Sequence, residues 1–251
     1  MDKGSKLIFL SIEVNVIRLY VETPLFLAQE LLLSEPQSHY LQKVMRLKKG
    51  SSLHLFNGKD GEWHAEVIDL LKKVTKLKVI SQIKQQKPES DLWLLYSPLK
   101  PKRQEFLIEK ATELGVSCLW PIHCGRTSIP KVNLEKMKAH VIEAAEQCER
   151  LTLPEIKPLT PLSKVLKEWP SNRTLIFGDE TLSSPSIATL SPKGPCAFFV
   201  GPEGGFTEQE LSALKTQGRG VTLNLHILRA ETAALVGISC LQLIPFSDKR
   251  S

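Results

Sequence analysis

The sequence predicts an α/β protein in two parts, a small β-barrel followed by a domain with a mostly parallel sheet. Three observations predict it. Short segments of alternating polarity, joined by a glycine turn, occupy the first third of the 251 residues, as in small barrels. From residue 91 onward, apolar strands alternate with stretches of helical period, the layout of parallel βαβ units. The charge divides at the same place: residues 1–88 hold 14 Lys/Arg and 9 Asp/Glu, a net of +5, while the remainder holds 19 against 18. An apolar fraction of 42% and a charged fraction of 24% exclude disordered, collagen-like and membrane-spanning classes. The basic front third points to a polyanionic partner, although a chance cluster of solvated lysines would give the same sum.

Taken in order, residues 1–17 form an N-terminal extension. Its apolar run at 7–10 is soon interrupted by Glu13 and Arg18, with no small-residue cleavage site, so a signal peptide is not expected. A first strand spans 17–22, and residues 38–47 make a short helix ended by Lys48-Lys49-Gly50. Leu53 and Leu55 alternate against Trp63, Ala65 and Val67 across the turn Gly58-Lys59-Asp60-Gly61, which predicts a hairpin of strands 52–57 and 62–68. Strand 76–80 repeats the period of two. The polar stretch 84–90, with Pro88, is the linker.

Strand 91–98, helix 102–114 and strand 116–122 make a βαβ unit, with Leu107, Ala111 and Leu114 on one helical face and Gly115 as the cap. A helix over 133–151 follows. Strands 174–178, 196–201 and 220–225 and helices 208–217 and 231–243 complete the alternation. Five cysteines, widely spaced and without a C-x-x-C pair, predict reduced thiols in a cytoplasmic protein, with neither a disulfide framework nor a zinc site. No apolar run is long enough for a membrane span.

Two loops carry chemistry. Residues 198–206 read FFVGPEGGF, a buried strand entering a glycine-rich loop, and Thr207 with Glu210 has the spacing of a capping box. The pattern is neither G-x-G-x-x-G nor a P-loop. Glu203 places a carboxylate where a phosphate cradle would want none, so the loop suits a neutral or cationic ligand, although taken alone such a loop is more often just a tight turn. In His226-Ile227-Leu228-Arg229-Ala230-Glu231, the arginine lies between a strand end and an apolar helix and needs an anionic partner or a solvent cleft. Glu231 in the first turn is already favoured by the helix dipole.

Together, GPEGGFTEQEL, ILRAETA, EKATELGV and EAAEQCER resemble the ribosomal RNA small subunit methyltransferase E family, of the SPOUT class of S-adenosylmethionine-dependent methyltransferases. The resemblance runs from about Arg18 to the C-terminal helix. It implies a PUA-like barrel over 18–85 and a SPOUT domain with a deep trefoil knot over 90–251. It further implies a homodimer that methylates N3 of one uridine in 16S ribosomal RNA, within an assembled or nearly assembled 30S subunit. By the same resemblance, S-adenosylmethionine is wrapped by Phe177, Gly178, Val200, Gly201, Gly205, Leu223, Asn224, Ile227 and Leu228. A sulfonium tolerates Glu203 nearby. The chain departs from the family pattern at Asn224 and His226, where glycine and arginine are usual.

Uracil N3 carries a proton at neutral pH, so its methylation spreads negative charge onto the flanking carbonyl oxygens. Arginine answers that charge with a fixed fork of donors. Arg126, Arg150 and Arg229 are the candidates from the matched motifs, and Glu203 or Glu231 the candidate proton acceptors. In the front module, Lys43, Arg46, Lys48, Lys49 and Lys59 are expected to neutralise phosphates, with Tyr40 and Phe56 interleaved and Trp63 assigned to the core. Two further readings stand beside the methyltransferase: a catalytically silent RNA-binding assembly factor of the same fold, and a nicotinamide enzyme, which the missing G-x-G-x-x-G disfavours.

Overall fold

In the computed structural model, residues 16–192 and 194–247 are described, and the chain divides into two units, 1–86 and 87–251. Most of the predicted extension, residues 1–15, lies outside the described residues.

The first unit contains β1 (Arg18–Tyr20), β2 (Glu30–Leu32), α1 (Glu35–His39), β3 (Ser52–Phe56), β4 (Glu62–Leu70) and β5 (Thr75–Lys84). The strands form one sheet in the order β1-β3-β4-β5-β2, with β1 parallel to β3 and the other pairings antiparallel. The predicted hairpin is β3–β4. It sets Leu53 opposite Ala65 and Leu55 opposite Trp63, so that one face buries Leu53, Leu55, Ala65 and Val67. The helix expected over 38–47 begins earlier, because Ser34 and Gln37 close a capping box, and it continues as a π-helical turn, Tyr40–Val44. Phe56, expected among exposed aromatics, is fully buried: it packs edge-on to Tyr20 and beneath the Arg18 guanidinium. Arg18 Nε donates to Glu62 Oε1 at 3.0 Å, and Lys84 Nζ lies 3.2 Å from Oε2, so the buried carboxylate is met from both sides.

The second unit contains β6 (Leu92–Tyr96), α2 (Pro101–Glu113), β7 (Cys118–His123), α3 (Leu134–Gln147), β8 (Glu155–Ile156), β9 (Thr160–Pro161), α4 (Leu162–Lys167), β10 (Thr174–Gly178), β11 (Cys196–Val200), α5 (Glu208–Gln217), β12 (Gly218–Val221) and α6 (Ala230–Ser247). Six strands run in the order β12-β10-β11-β6-β7-β8, all parallel, and β9 pairs with the end of β7. A parallel sheet must be covered on both faces. One face packs Leu94, Tyr96, Phe198 and Val200 with the apolar sides of α2, α3 and α6; the other packs Leu95, Phe177 and Phe199 with α4 and α5. After the edge strand β12, α6 returns to pack on β11 and β6. Gly237 permits that approach, since a Cβ there would overlap the Phe198 ring.

Two boundaries differ from expectation and one agrees. β12 spans 218–221 rather than 220–225, because Gly218 and Gly220 pack against Leu175 and Phe177 and the following residues turn into a loop. α3 ends at Gln147, where Glu149 adopts a φ of 59°, so Arg150 stands beyond the helix. Gly115, with φ +80°, ends α2 as predicted, and Gly115 N and Val116 N donate to Thr112 O and Ala111 O, a complete Schellman motif.

Candidate active site

The carboxyl ends of the adjacent strands β12, β10 and β11 open onto a cleft of about 710 Å³, its mouth included. Ligands of open α/β sheets bind at this end because the loops there are free of ladder constraints. The cleft is lined by Gly178 and the loop after β10, by Val200 and the glycine-rich loop after β11, by Val221 at the end of β12 with Leu223, Asn224 and 226–228 after it, and by Ala230 and Ala233 of α6. Gly178, Val200, Gly201, Gly205, Leu223, Asn224, Ile227 and Leu228 are therefore brought together. Phe177 is not: it is fully buried beneath the cleft, edge-on to Phe206.

The glycine-rich loop closes tightly for specific reasons. Gly205 has φ +71° and donates its N–H to Pro202 O at 2.9 Å, and a Cβ at Gly201 would come within 2.6 Å of the Phe206 ring. Phe206 in turn packs on Phe199, which anchors the loop to the core. α5 starts immediately, with both capping-box bonds present: Thr207 N to Glu210 Oε2 at 2.9 Å and Glu210 N to Thr207 Oγ1 at 3.2 Å. Glu210 Oε1 also accepts from Gly125 N at 2.7 Å, which ties the end of β7 to the same corner.

The lining contains Asp179, Glu180 and Glu203 and, among the described residues, no Lys or Arg. Asp179 is buried. Burial pushes its carboxyl up, but hydrogen bonds from Ser184 Oγ at 2.6 Å and Thr181 Oγ1 at 2.7 Å outweigh it and hold the group below the usual carboxylate range. Such a cleft rejects a polyphosphate, which would find no cation, and accommodates a ligand carrying positive charge beside apolar surface. The residues present therefore fit S-adenosylmethionine, whose sulfonium and ammonium are cationic and whose adenine is neutral. Sequence reading missed Asp179 and Glu180, although a carboxylate pair directly after a strand end was a usable signal.

The arginines have separate tasks. Arg126 is exposed and Nη1 donates to Gly204 O at 2.8 Å. Arg229 is exposed where α6 begins, its carbonyl accepting from Ala233 N at 2.8 Å. Arg150 is not brought to the cleft. Its guanidinium is buried at the C-terminal end of α2, where Nη1 donates to Thr112 O at 2.9 Å and Nη2 to Val116 O at 2.7 Å, and Nε pairs with Glu89 at 2.8 Å. A cation at the negative end of a helix is a structural device, so the catalytic expectation for Arg150 is corrected. Arg103, which sequence reading passed over, donates from Nε to Glu231 Oε2 at 3.0 Å and from Nη1 to Glu203 Oε1. Burial pushes the Glu231 carboxyl up, and the bonds and charge of Arg103 overcome this to hold it low.

Cys124, next to Gly125, is buried, and burial pushes its thiol up to about 12, which makes it a poor nucleophile. Lys43, Arg46, Lys48, Lys49 and Lys59 are all exposed on the first unit, and Tyr40 retains 36% exposure among them in sequence. Among the described residues, no helix is long and apolar enough to cross a membrane, and no cluster of three or more His, Cys, Asp or Glu is placed to hold a metal.

A parallel sheet with an acidic, apolar cleft at the carboxyl ends of its strands, in a chain whose first unit is a basic β module, fits the class of RNA methyltransferases. Residues 85–242 match the RNA methyltransferase domain model, and residues 33–79 match the RNA methyltransferase PUA domain model. The chain is 33% identical over 219 residues to ribosomal RNA small subunit methyltransferase E of Rickettsia conorii, covering 85% of this chain and 89% of the relative. It belongs to the ribosomal RNA small subunit methyltransferase E family. The structure of that enzyme from Neisseria gonorrhoeae, bound to S-adenosyl methionine, superposes with a TM-score of 0.84 at 28% identity, covering 91% of this chain and 98% of the other. A methyltransferase of Legionella pneumophila in complex with the same cofactor gives 0.82 at 28% identity, with coverage of 90% and 97%.

Proposed function

We propose that this chain transfers a methyl group from S-adenosylmethionine to N3 of a specific uridine in small-subunit (16S) ribosomal RNA, acting on an assembled or nearly assembled 30S subunit. The observation that carries the reading is the lining of the cleft, three carboxylates and no Lys or Arg among the described residues, in a chain of this family. S-adenosylmethionine, when bound, supplies an electrophilic methyl group on a sulfonium. The chain's own residues bind and orient. Gly178, Gly201 and Gly205 let the backbone approach the ligand, while Val200, Leu223, Ile227 and Leu228 surround it with apolar surface.

The uracil N3–H must give up its proton as charge spreads to the flanking carbonyl oxygens. Arg229, between the lining residues Leu228 and Ala230, offers those oxygens a permanently charged fork. Arg126 offers the part of its guanidinium not engaged by Gly204. Glu203 is the candidate proton acceptor, with Oε1 held by Arg103 and Oε2 left for the proton. Lys43, Arg46, Lys48, Lys49 and Lys59 of the PUA-like module neutralise RNA phosphates. A homodimer, a cytoplasmic location and a deep trefoil knot, formed where α6 returns across the sheet, belong to the same proposal.

Mass spectrometry of small-subunit RNA from cells with and without the gene tests it. One N3-methyluridine is expected to disappear with the gene, and its persistence refutes the proposal. Calorimetry adds a second arm: RNA binding without any heat of S-adenosylmethionine binding would instead identify a silent assembly factor.

A further inference from the structure

We propose that Arg103 is a positioning residue of the cofactor cleft, whose guanidinium clamps the glycine-rich loop after β11 to the first turn of α6. Its Nη1 donates to Glu203 in the loop, and its Nε and Nη2 donate to Glu231 in α6, the Nε bond at 3.0 Å. α2, which carries the arginine, contributes no residue to the lining. Glu203 is itself a lining residue, and Glu231 lies beside the lining residue Ala230, so the fork fixes the separation of two walls without entering the space between them.

The placement of Arg103 runs against local preference. It is the third residue of α2 after the N-cap Lys100, in a first turn that holds no acidic residue. The helix dipole favours carboxylates there and disfavours cations. A rule broken at one position calls for a compensating interaction, and the two carboxylates supply it. The fork also matches what the loop lacks. With Gly201, Gly204 and Gly205 in five residues, the loop has few side chains of its own to restrict it, and Arg126 on Gly204 O and Phe206 on Phe199 tie it from elsewhere than α6. A planar guanidinium can serve two carboxylates at once, whereas an ammonium on a flexible stem cannot hold both in one fixed geometry. The Glu231 side chain is only 12% exposed, so solvent screens this half of the clamp weakly.

The clamp rests on the S-adenosylmethionine reading above for its consequence, which is cofactor affinity. The test uses the full chain and S-adenosylhomocysteine as the probe, with calorimetry and hydrogen exchange of the cofactor-free protein. Arg103→Ala is expected to weaken S-adenosylhomocysteine roughly tenfold, a coupling of about 1.4 kcal/mol. It is also expected to speed amide exchange across 201–206 while the melting temperature stays within about 2 °C. Arg103→Lys should recover part of the affinity, and the Arg103→Ala effect should shrink when Glu231→Gln is already present. Unchanged affinity and exchange in Arg103→Ala overturn the proposal, as does an affinity loss that is fully additive with Glu231→Gln. So does a general loss of stability that Arg103→Lys fails to rescue. If the wild type binds no S-adenosylhomocysteine yet Arg103→Ala still accelerates exchange at 201–206, the clamp holds and the cofactor reading fails.

Discussion

Arg229 and Glu62 show how one charged side chain can be assigned a task from its surroundings. Arg229 is exposed beside the lining residues Leu228 and Ala230, and on the proposed function its loss should be felt after cofactor binding. Arg229→Ala is expected to lower kcat/KM about 100-fold, the scale of removing a donor to developing negative charge, with S-adenosylhomocysteine affinity unchanged in calorimetry. An equal loss of cofactor affinity would place it in the cleft wall instead. Glu62 has the opposite surroundings. Burial pushes its carboxyl up, yet Arg18 and Lys84 more than offset this, and the folded-state pKa lies below the ordinary value. Its stabilisation is therefore full above the unfolded pKa of about 4.3 and drains away as pH falls through the lower folded value. Glu62→Gln should cost about 3 kcal/mol at neutral pH and flatten that acid dependence, measured by urea unfolding from pH 7 to 3. The same contrast explains what sequence could not resolve. Arg150 and Arg229 both sit in motifs, but only coordinates show that one guanidinium is sealed against Thr112 O and Val116 O while the other is exposed. Arg103 was passed over because a cation near a helix start ordinarily reads as solvated surface.

Elements with a long period or a cap were legible, and those without were not. β10 and α5 fall on the predicted residues, since an apolar strand and a Thr-x-x-Glu capping box each mark their own limits. β2, β8 and β9 have two or three residues, too few to display a period, and owe their existence to a neighbouring strand. The cleft was legible through its glycines, yet its acidic character came partly from Asp179 and Glu180, whose roles depend on which strand ends lie side by side. Two substitutions test how elements hold the cleft. Thr207→Ala removes one half of the α5 capping box and should cost about 1 kcal/mol in thermal or urea unfolding, with Thr207→Ser nearly neutral. Gly237→Ala inserts a methyl group into the Phe198 ring across the α6–β11 contact and should cost about 1–3 kcal/mol by overpacking. Because α6 also supplies Ala230 and Ala233 to the lining, that variant should weaken S-adenosylhomocysteine as well, whereas Thr207→Ala should leave it nearly intact.

At the scale of the whole molecule, charge is unevenly distributed along the chain. The net of +5 in residues 1–88 leaves only +1 for the remainder, yet that near-neutral sum conceals acidic residues on the cleft and arginines beside it. A cation-binding cleft and an anion-binding surface can coexist in one chain only if their fields are kept local, which burial of Asp179 and pairing of Glu203 with Arg103 both promote. The two properties should then respond separately to mutation and to salt. Each phosphate neutralised on single-stranded RNA contributes about −0.7 to the slope of log Kobs against log salt concentration. Replacing Lys48 and Lys49 together by alanine should therefore make that slope shallower by about 1.4, measured by filter binding to small-subunit RNA at several salt concentrations. Both side chains are exposed, so the fold should not suffer. S-adenosylhomocysteine affinity should stay at its wild-type value throughout the same salt series. An unchanged slope in the double variant would mean that the basic surplus of the first unit is solvated surface and that RNA is held elsewhere, with the arginines around the cleft the next group to remove.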